Sequence, residues 1–111
     1  MAVKPVKMFE GTLLANAAAT VYTAPTGTSG VVRILAITVT NTSASVVHNF
    51  SVWIGANATA TLVIDARPLA PLETQSIPEL VGQFISVGSV LQMSADTAAV
   101  VAAQGSGVII T

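Results

Sequence analysis

His48 is the only histidine in the chain, so acid–base or metal chemistry would have to begin there. Its neighbours within two positions are Val46, Val47, Asn49 and Phe50, none of them an acid. A general base needs an orienting partner and a metal needs several ligands, so His48 reads as a structural or interface histidine. The acids Glu10, Asp65, Glu73, Glu79 and Asp96 stand singly, and no spacing pairs two of them for acid–base work. Asp65 and Arg67, two apart, read as a strand-end ion pair worth at most about 1 kcal/mol. Ser and Thr are abundant, yet there is no Gly-x-Ser-x-Gly elbow and no Gly-rich loop with a phosphate-binding lysine. Gly27-Thr28-Ser29-Gly30 and Gly105-Ser106-Gly107 read instead as hairpin turns. Asn41-Thr42-Ser43 and Asn57-Ala58-Thr59 match a glycosylation triplet that is common by chance. No catalytic, cofactor-binding or metal-binding residue is assigned, and the expectation is a protein that is not an enzyme.

Charge excludes further classes. Of 111 residues, 52% are hydrophobic and 8% charged, with four basic and five acidic side chains. An average soluble domain carries roughly 25% charged residues. Lys4, Lys7, Arg33 and Arg67 are too few to neutralise a phosphate backbone, so no nucleic-acid partner is expected. The high mean hydropathy invites a membrane reading, but no apolar run approaches the roughly 20 residues of a spanning helix. Glu10 and Gly11 likewise interrupt the apolar segment that a signal peptide would need after Lys4 and Lys7. A chain near this length can bury roughly two thirds of its unfolded surface as one domain, here without any cysteine.

The elements that must position these residues are strands. Turn residues recur through the chain, and the runs between them are rich in Val, Ile, Thr and aromatics. They predict strands over 6–14, 20–24, 31–40, 46–54, 61–65, 74–80, 83–87, 90–95, 100–103 and 108–111. The Ala-rich stretches 15–20 and 95–103 lack a helical period, so at most one helical turn is expected. The fold class that follows is all-β: a single-domain antiparallel β-sandwich, jelly-roll or immunoglobulin-like, of about 8–10 short strands. Residues 1–10, polar and interrupted by Pro5, are expected to be an N-terminal arm, leaving 11–111 as the sandwich.

Alternation assigns faces. From 46 to 54 the even positions Val46, His48, Phe50, Val52 and Ile54 form the predicted core face. Trp53 then falls on the polar face, either as an aromatic anchor for a partner or covered by a neighbouring element. From 31 to 40 both parities are apolar, with Val31, Leu35, Ile37 and Val39 on one and Val32, Ile34 and Ala36 on the other. A strand apolar on both faces is covered on both, and in a two-layer sandwich the second cover would come from another subunit or a loop. Lys4, Pro5, Lys7, Val32, Ile34 and Trp53 are therefore the candidate oligomer or coat-interface residues.

The run Tyr22-Thr23-Ala24-Pro25-Thr26-Gly27, the segment closing on Asn41-Thr42-Ser43 and the strand holding Val52-Trp53-Ile54 resemble short tailed-bacteriophage virion proteins. Leu69-Ala70-Pro71-Leu72-Glu73-Thr74, Val87-Gly88-Ser89-Val90-Leu91 and Gly105-Ser106-Gly107-Val108 are similar to that group too, so the likeness spans about 19–111. One departure is Gly88-Ser89, where relatives often read Gly-Asp. The resemblance rests on turn chemistry and carries no functional residue set. It implies a β-sandwich component of the virion, assembled in the host bacterial cytoplasm, commonly a symmetric oligomer and often a trimer. Joined to the low charge, it leads to the expectation of a capsid decoration (cement) protein that contacts the major capsid protein and itself. The alternative is a tail or head-fibre module that binds a host surface. A small jelly-roll hydrolase or lyase would need acids converging on His48.

Overall fold

A computed structural model of the chain describes residues 3–26, 31–56 and 58–110. Among them are nine strands: β1 (Val3–Leu13), β2 (Ala19–Thr23), β3 (Val31–Asn41), β4 (His48–Ile54), β5 (Leu62–Leu69), β6 (Thr74–Ser76), β7 (Phe84–Ile85), β8 (Val90–Ala95) and β9 (Val101–Ile110). Single 3-10 turns at Thr59–Thr61 and Pro78–Leu80 are the helical pieces, and neither lies in the Ala-rich stretches. One antiparallel sheet runs β1-β9-β3-β6, with β7 also on β3, and the other runs β2-β8-β4-β5. The two pack face to face as the expected β-sandwich.

Strand order separates the two expected topologies. β6 and β7 lie end to end along β3, pairing Thr38–Thr40 and Val32–Arg33 respectively, so they act as one interrupted strand. Counted that way, eight strands form sheets ordered 1-8-3-6 and 2-7-4-5. This is the double Greek-key winding of a jelly roll. An immunoglobulin sandwich keeps its first two strands in one sheet, whereas here β1 and β2 lie in different sheets.

The core follows the alternation read for β4 and β8. His48, Phe50 and Val52 are buried, as are Leu91, Met93 and Ala95, although Val46 precedes β4 and is exposed. Each fully buried Leu, Ile, Val or Phe contributes about 1.5–3 kcal/mol relative to exposure, and Ile37, Leu69, Ile77, Leu80 and Ile85 join the same cluster.

β3 corrects the reading of a doubly covered strand. Its pairing with β9 slips between Ile34 and Ala36, a β-bulge centred on Leu35. Val32 and Ile34 point into the core before the bulge, and Ile37, Val39 and Asn41 after it. A bulge inserts one residue and so switches parity. The two apolar parities are used in succession by one core, and Leu35 and Ala36 are the exposed residues between them. Val32 and Ile34, at 0% exposure inside the sandwich, have no surface to give to an interface.

Two further expectations change. The arm expected over 1–10 is, from Val3 onward, the outer strand β1, registered on β9 from Val3 opposite Ile110 to Leu13 opposite Ala102. Pro5 is tolerated because β1 is an edge. Lys4, Lys7 and two register shifts guard that edge against further pairing. Gly105-Ser106-Gly107 is likewise no turn but the middle of β9. A Cβ on Gly105 would meet the Phe9 ring at 2.8 Å, and one on Gly107 would meet the Arg33 carbonyl oxygen at 2.5 Å. Glycine is there for close approach within a strand. The turn expected at 27–30 lies outside the described residues.

Candidate interaction surface

His48 has a partner that its sequence neighbourhood does not reveal. Its Nδ1 lies 2.8 Å from Asp96 Oδ1, 48 positions away. The backbone N–H of Asp96 donates to the Asn49 carbonyl, so the end of β8 is tied back onto β4. Among the described residues neither side chain has another hydrogen-bond partner, so the pair lacks an oriented nucleophile. No group of three or more His, Cys, Asp or Glu side chains gathers among the described residues. The arrangement ties strand ends together.

Other predicted residues disperse. Asp65 does not pair with Arg67. Arg67 instead donates through both terminal nitrogens to Glu79, Nη1 to Oε1 at 3.1 Å and Nη2 to Oε2. That fork joins β5 to the 3-10 turn beside β6, a clasp across the two sheets. Its hydrogen bonds hold the Glu79 carboxyl below the ordinary carboxylate range and raise Arg67. Lys7 and Glu10 pair at 2.8 Å on the surface, which lowers the Glu10 carboxyl through that hydrogen bond. Trp53 is half-buried, opposite Gln92 on β8 and Leu62 on β5. Gln92 donates from Nε2 to Thr20 Oγ1, while its buried Oε1 has no partner. Asn41 is fully buried: Nδ2 donates to the Val46 and Leu69 carbonyls and Oδ1 accepts from the Ser43 N–H. Its triplet therefore presents no free amide for modification, and Asn57 lies outside the described residues.

What the fold does assemble is a face. On the outer side of the five-stranded sheet, beyond the β3 bulge toward the start of β1, register aligns two cross-strand rows. Val3, Ile110 and Val31 form one, and Pro5, Val108, Arg33 and Phe84 form the other. Their alternates Val6 and Ile109 turn inward against the core, which fixes the rows as outward. Val3 and Phe84 are 59% and 53% exposed. Below the rows, Lys7, Ala36, Thr38, Gln104, Gly105 and Ser106 line an open depression of about 200 Å³. The small residues there, with the bulge beside them, leave room for one incoming side chain. Of the predicted interface residues, this face gathers Pro5 and Lys7; Lys4, exposed at the edge, falls in the inward row of Ile109 and Val32, and Val32, Ile34 and Trp53 are excluded. Arg33, Val108 and Phe84 were missed because their juxtaposition depends on strand order, although their alternation was visible.

Compared with known proteins, the chain matches no family model, no curated protein and no solved structure.

Proposed function

We propose that the chain is a non-enzymatic structural protein of a tailed-bacteriophage particle: a capsid decoration protein that contacts the major capsid protein, forms a homo-oligomer, a trimer in the fullest form of the reading, and bridges coat subunits. The observation that carries the reading is the charge-poor, apolar outer face of the five-stranded sheet, built on strands instead of loops. Apolar area removed from water contributes about 25 cal/mol per Å² before the costs of association. Repetition over a symmetric lattice converts a modest contact into high avidity. The jelly-roll winding supports the reading, since viral capsid domains use it, but lectins and cupins use it too, so fold alone does not choose. The resemblance of residues 22–27, Asn41-Thr42-Ser43, 69–74 and 87–91 to short virion proteins supplies the rest, whereas Gly105-Ser106-Gly107, mid-strand here, no longer counts as turn chemistry. Imaging or labelling the particle, with copy number measured against the major coat protein, tests it. Hundreds of copies on the head are expected, and a handful of copies at the tail would overturn it.

One observation favours the second reading, a tail or head-fibre module that binds a host surface. Trp53, half-buried on the other sheet, is the cross-strand neighbour of Gln92, so one aromatic stands on that sheet's polar parity where a ligand could stack. A Trp53→Ala protein that assembles normally but no longer supports adsorption would favour this reading over decoration.

A further inference from the structure

Arg33 stands in the middle of an apolar face without a counter-charge. Arg67 pairs with Glu79 and Lys7 with Glu10, while among the described residues Arg33 has neither an ion pair nor a side-chain hydrogen bond. Its guanidinium lies over Gly82, and its row neighbours are Val108 and Phe84. We infer that this face docks on a coat-protein surface that is itself apolar and presents a carboxylate opposite Arg33. The inference rests on the decoration reading and specifies the partner chemistry that reading needs.

Three observations select that occupant. Arginine within an apolar patch is a typical binding anchor, and its planar fork matches a carboxylate. A two-fold second copy does not supply the match, because it sets the same patch on both sides and brings guanidinium toward guanidinium, and a head-to-tail copy would need a free acid elsewhere on the chain. The acids left without a side-chain partner among the described residues are Glu73, whose Oε1 accepts from the Ala70 N–H in the turn between β5 and β6, and Asp65, exposed on the free edge of β5 in the other sheet. Asp65 sits beside the bulged Ala66 (φ 47°), not within an apolar patch, and Glu73 is already engaged by its own turn. Area is the third. Four strands about 4.8 Å apart and five residues at about 3.4 Å give a footprint of roughly 250 Å². A stable stand-alone interface needs about 800 Å² per partner. The face is therefore suited to one contact repeated over a lattice, with a coat side chain seated in the depression below Arg33.

The test uses heads purified from particles that lack this protein, titrated with the purified chain and its variants. Wild type saturates the heads, and its binding weakens as NaCl is raised. Arg33→Glu and Phe84→Ser, both at exposed positions, keep the wild-type melting temperature and bind at least about tenfold more weakly, while Asp65→Asn binds normally. If wild type binds and both face variants bind equally well, the inference fails and decoration stands. If wild type does not bind heads, decoration fails and the inference with it. If the variants lower the oligomeric state in sedimentation velocity but bind heads unchanged per chain, the face is a seam between copies and the inference is overturned.

Discussion

Gly107 shows how much a single residue type can decide in this fold. It sits mid-strand on β9, opposite Ile34, where a Cβ would lie 2.5 Å from the Arg33 carbonyl oxygen and 3.1 Å from Met8 Sδ. A backbone atom cannot swing aside as a side chain can, so Gly107→Ala must part β9 from β3. The expected cost is about 3 kcal/mol, at the upper end of overpacking effects, read as a lower urea midpoint at unchanged slope. Gly11→Ala is the contrast: nothing lies within 4 Å of its Cβ, and only its φ of 53° resists the change. Its cost should be about 1 kcal/mol, the ordinary strain of a left-handed alanine. The sequence shows the glycines but not their task, since Gly105-Ser106-Gly107 has turn composition and only β1 and β3 on either side make it a strand. The His48–Asp96 pair was hidden for a similar reason. Its members are 48 positions apart, and no local pattern announces a contact made when β8 folds back against β4.

At the scale of elements, period-two alternation made β4 and β8 legible, and the failure of alternation in β3 was the more informative signal. Two apolar parities in one strand admit two causes, cover on both faces or a bulge, and only the register against β9 distinguishes them. Leu35 tests the second cause. Leu35→Ser removes a side chain that is already 45% exposed and should change stability by less than about 1 kcal/mol. Deleting Leu35 removes the extra residue and leaves Ile34 inward, Ala36 outward and Ile37 inward in plain alternation on β9, so a cooperative unfolding transition should remain, whereas inserting a second residue beside Leu35 should turn Ile37, Val39 and Asn41 outward and abolish it. The clasp between sheets gives an element-level pH dependence. Glu79 is held below its ordinary 4.5 by the Arg67 hydrogen bonds, so below that pH the unfolded chain binds the more protons. Its contribution is present above pH 4.5 and is lost as pH falls through the lowered folded value. Glu79→Gln should therefore flatten the acid side of the stability profile below pH 4.5, measured by thermal melts. The flattening is partial, because Glu10, lowered by Lys7, still titrates in the same direction.

The whole molecule is held by apolar burial and strand pairing, with charge almost absent from its stability. Its first strand pairs with its last, Val3 opposite Ile110, so closure joins the most distant parts of the described chain and folding should be slow for the size, in milliseconds to seconds. The ion pairs between ordinarily charged groups among the described residues are Lys7–Glu10 and Arg67–Glu79, each with at least one substantially exposed member. Exposed pairs contribute about 0–1 kcal/mol and are screened by salt, and a net charge of -1 leaves little self-repulsion to relieve. Raising NaCl from about 50 mM to about 1 M should therefore move the melting temperature by less than about 4 °C. A shift beyond about 10 °C would mean that electrostatics holds the sandwich together, against the burial seen here. On the proposed decoration reading the same titration run on head binding should behave differently, because an Arg33–carboxylate contact across the docked face would be weakened by screening. Salt then separates two functions of one sheet. Its inner face should keep the fold whatever the ionic strength, and its outer face, on the proposed reading, should release the particle as salt rises.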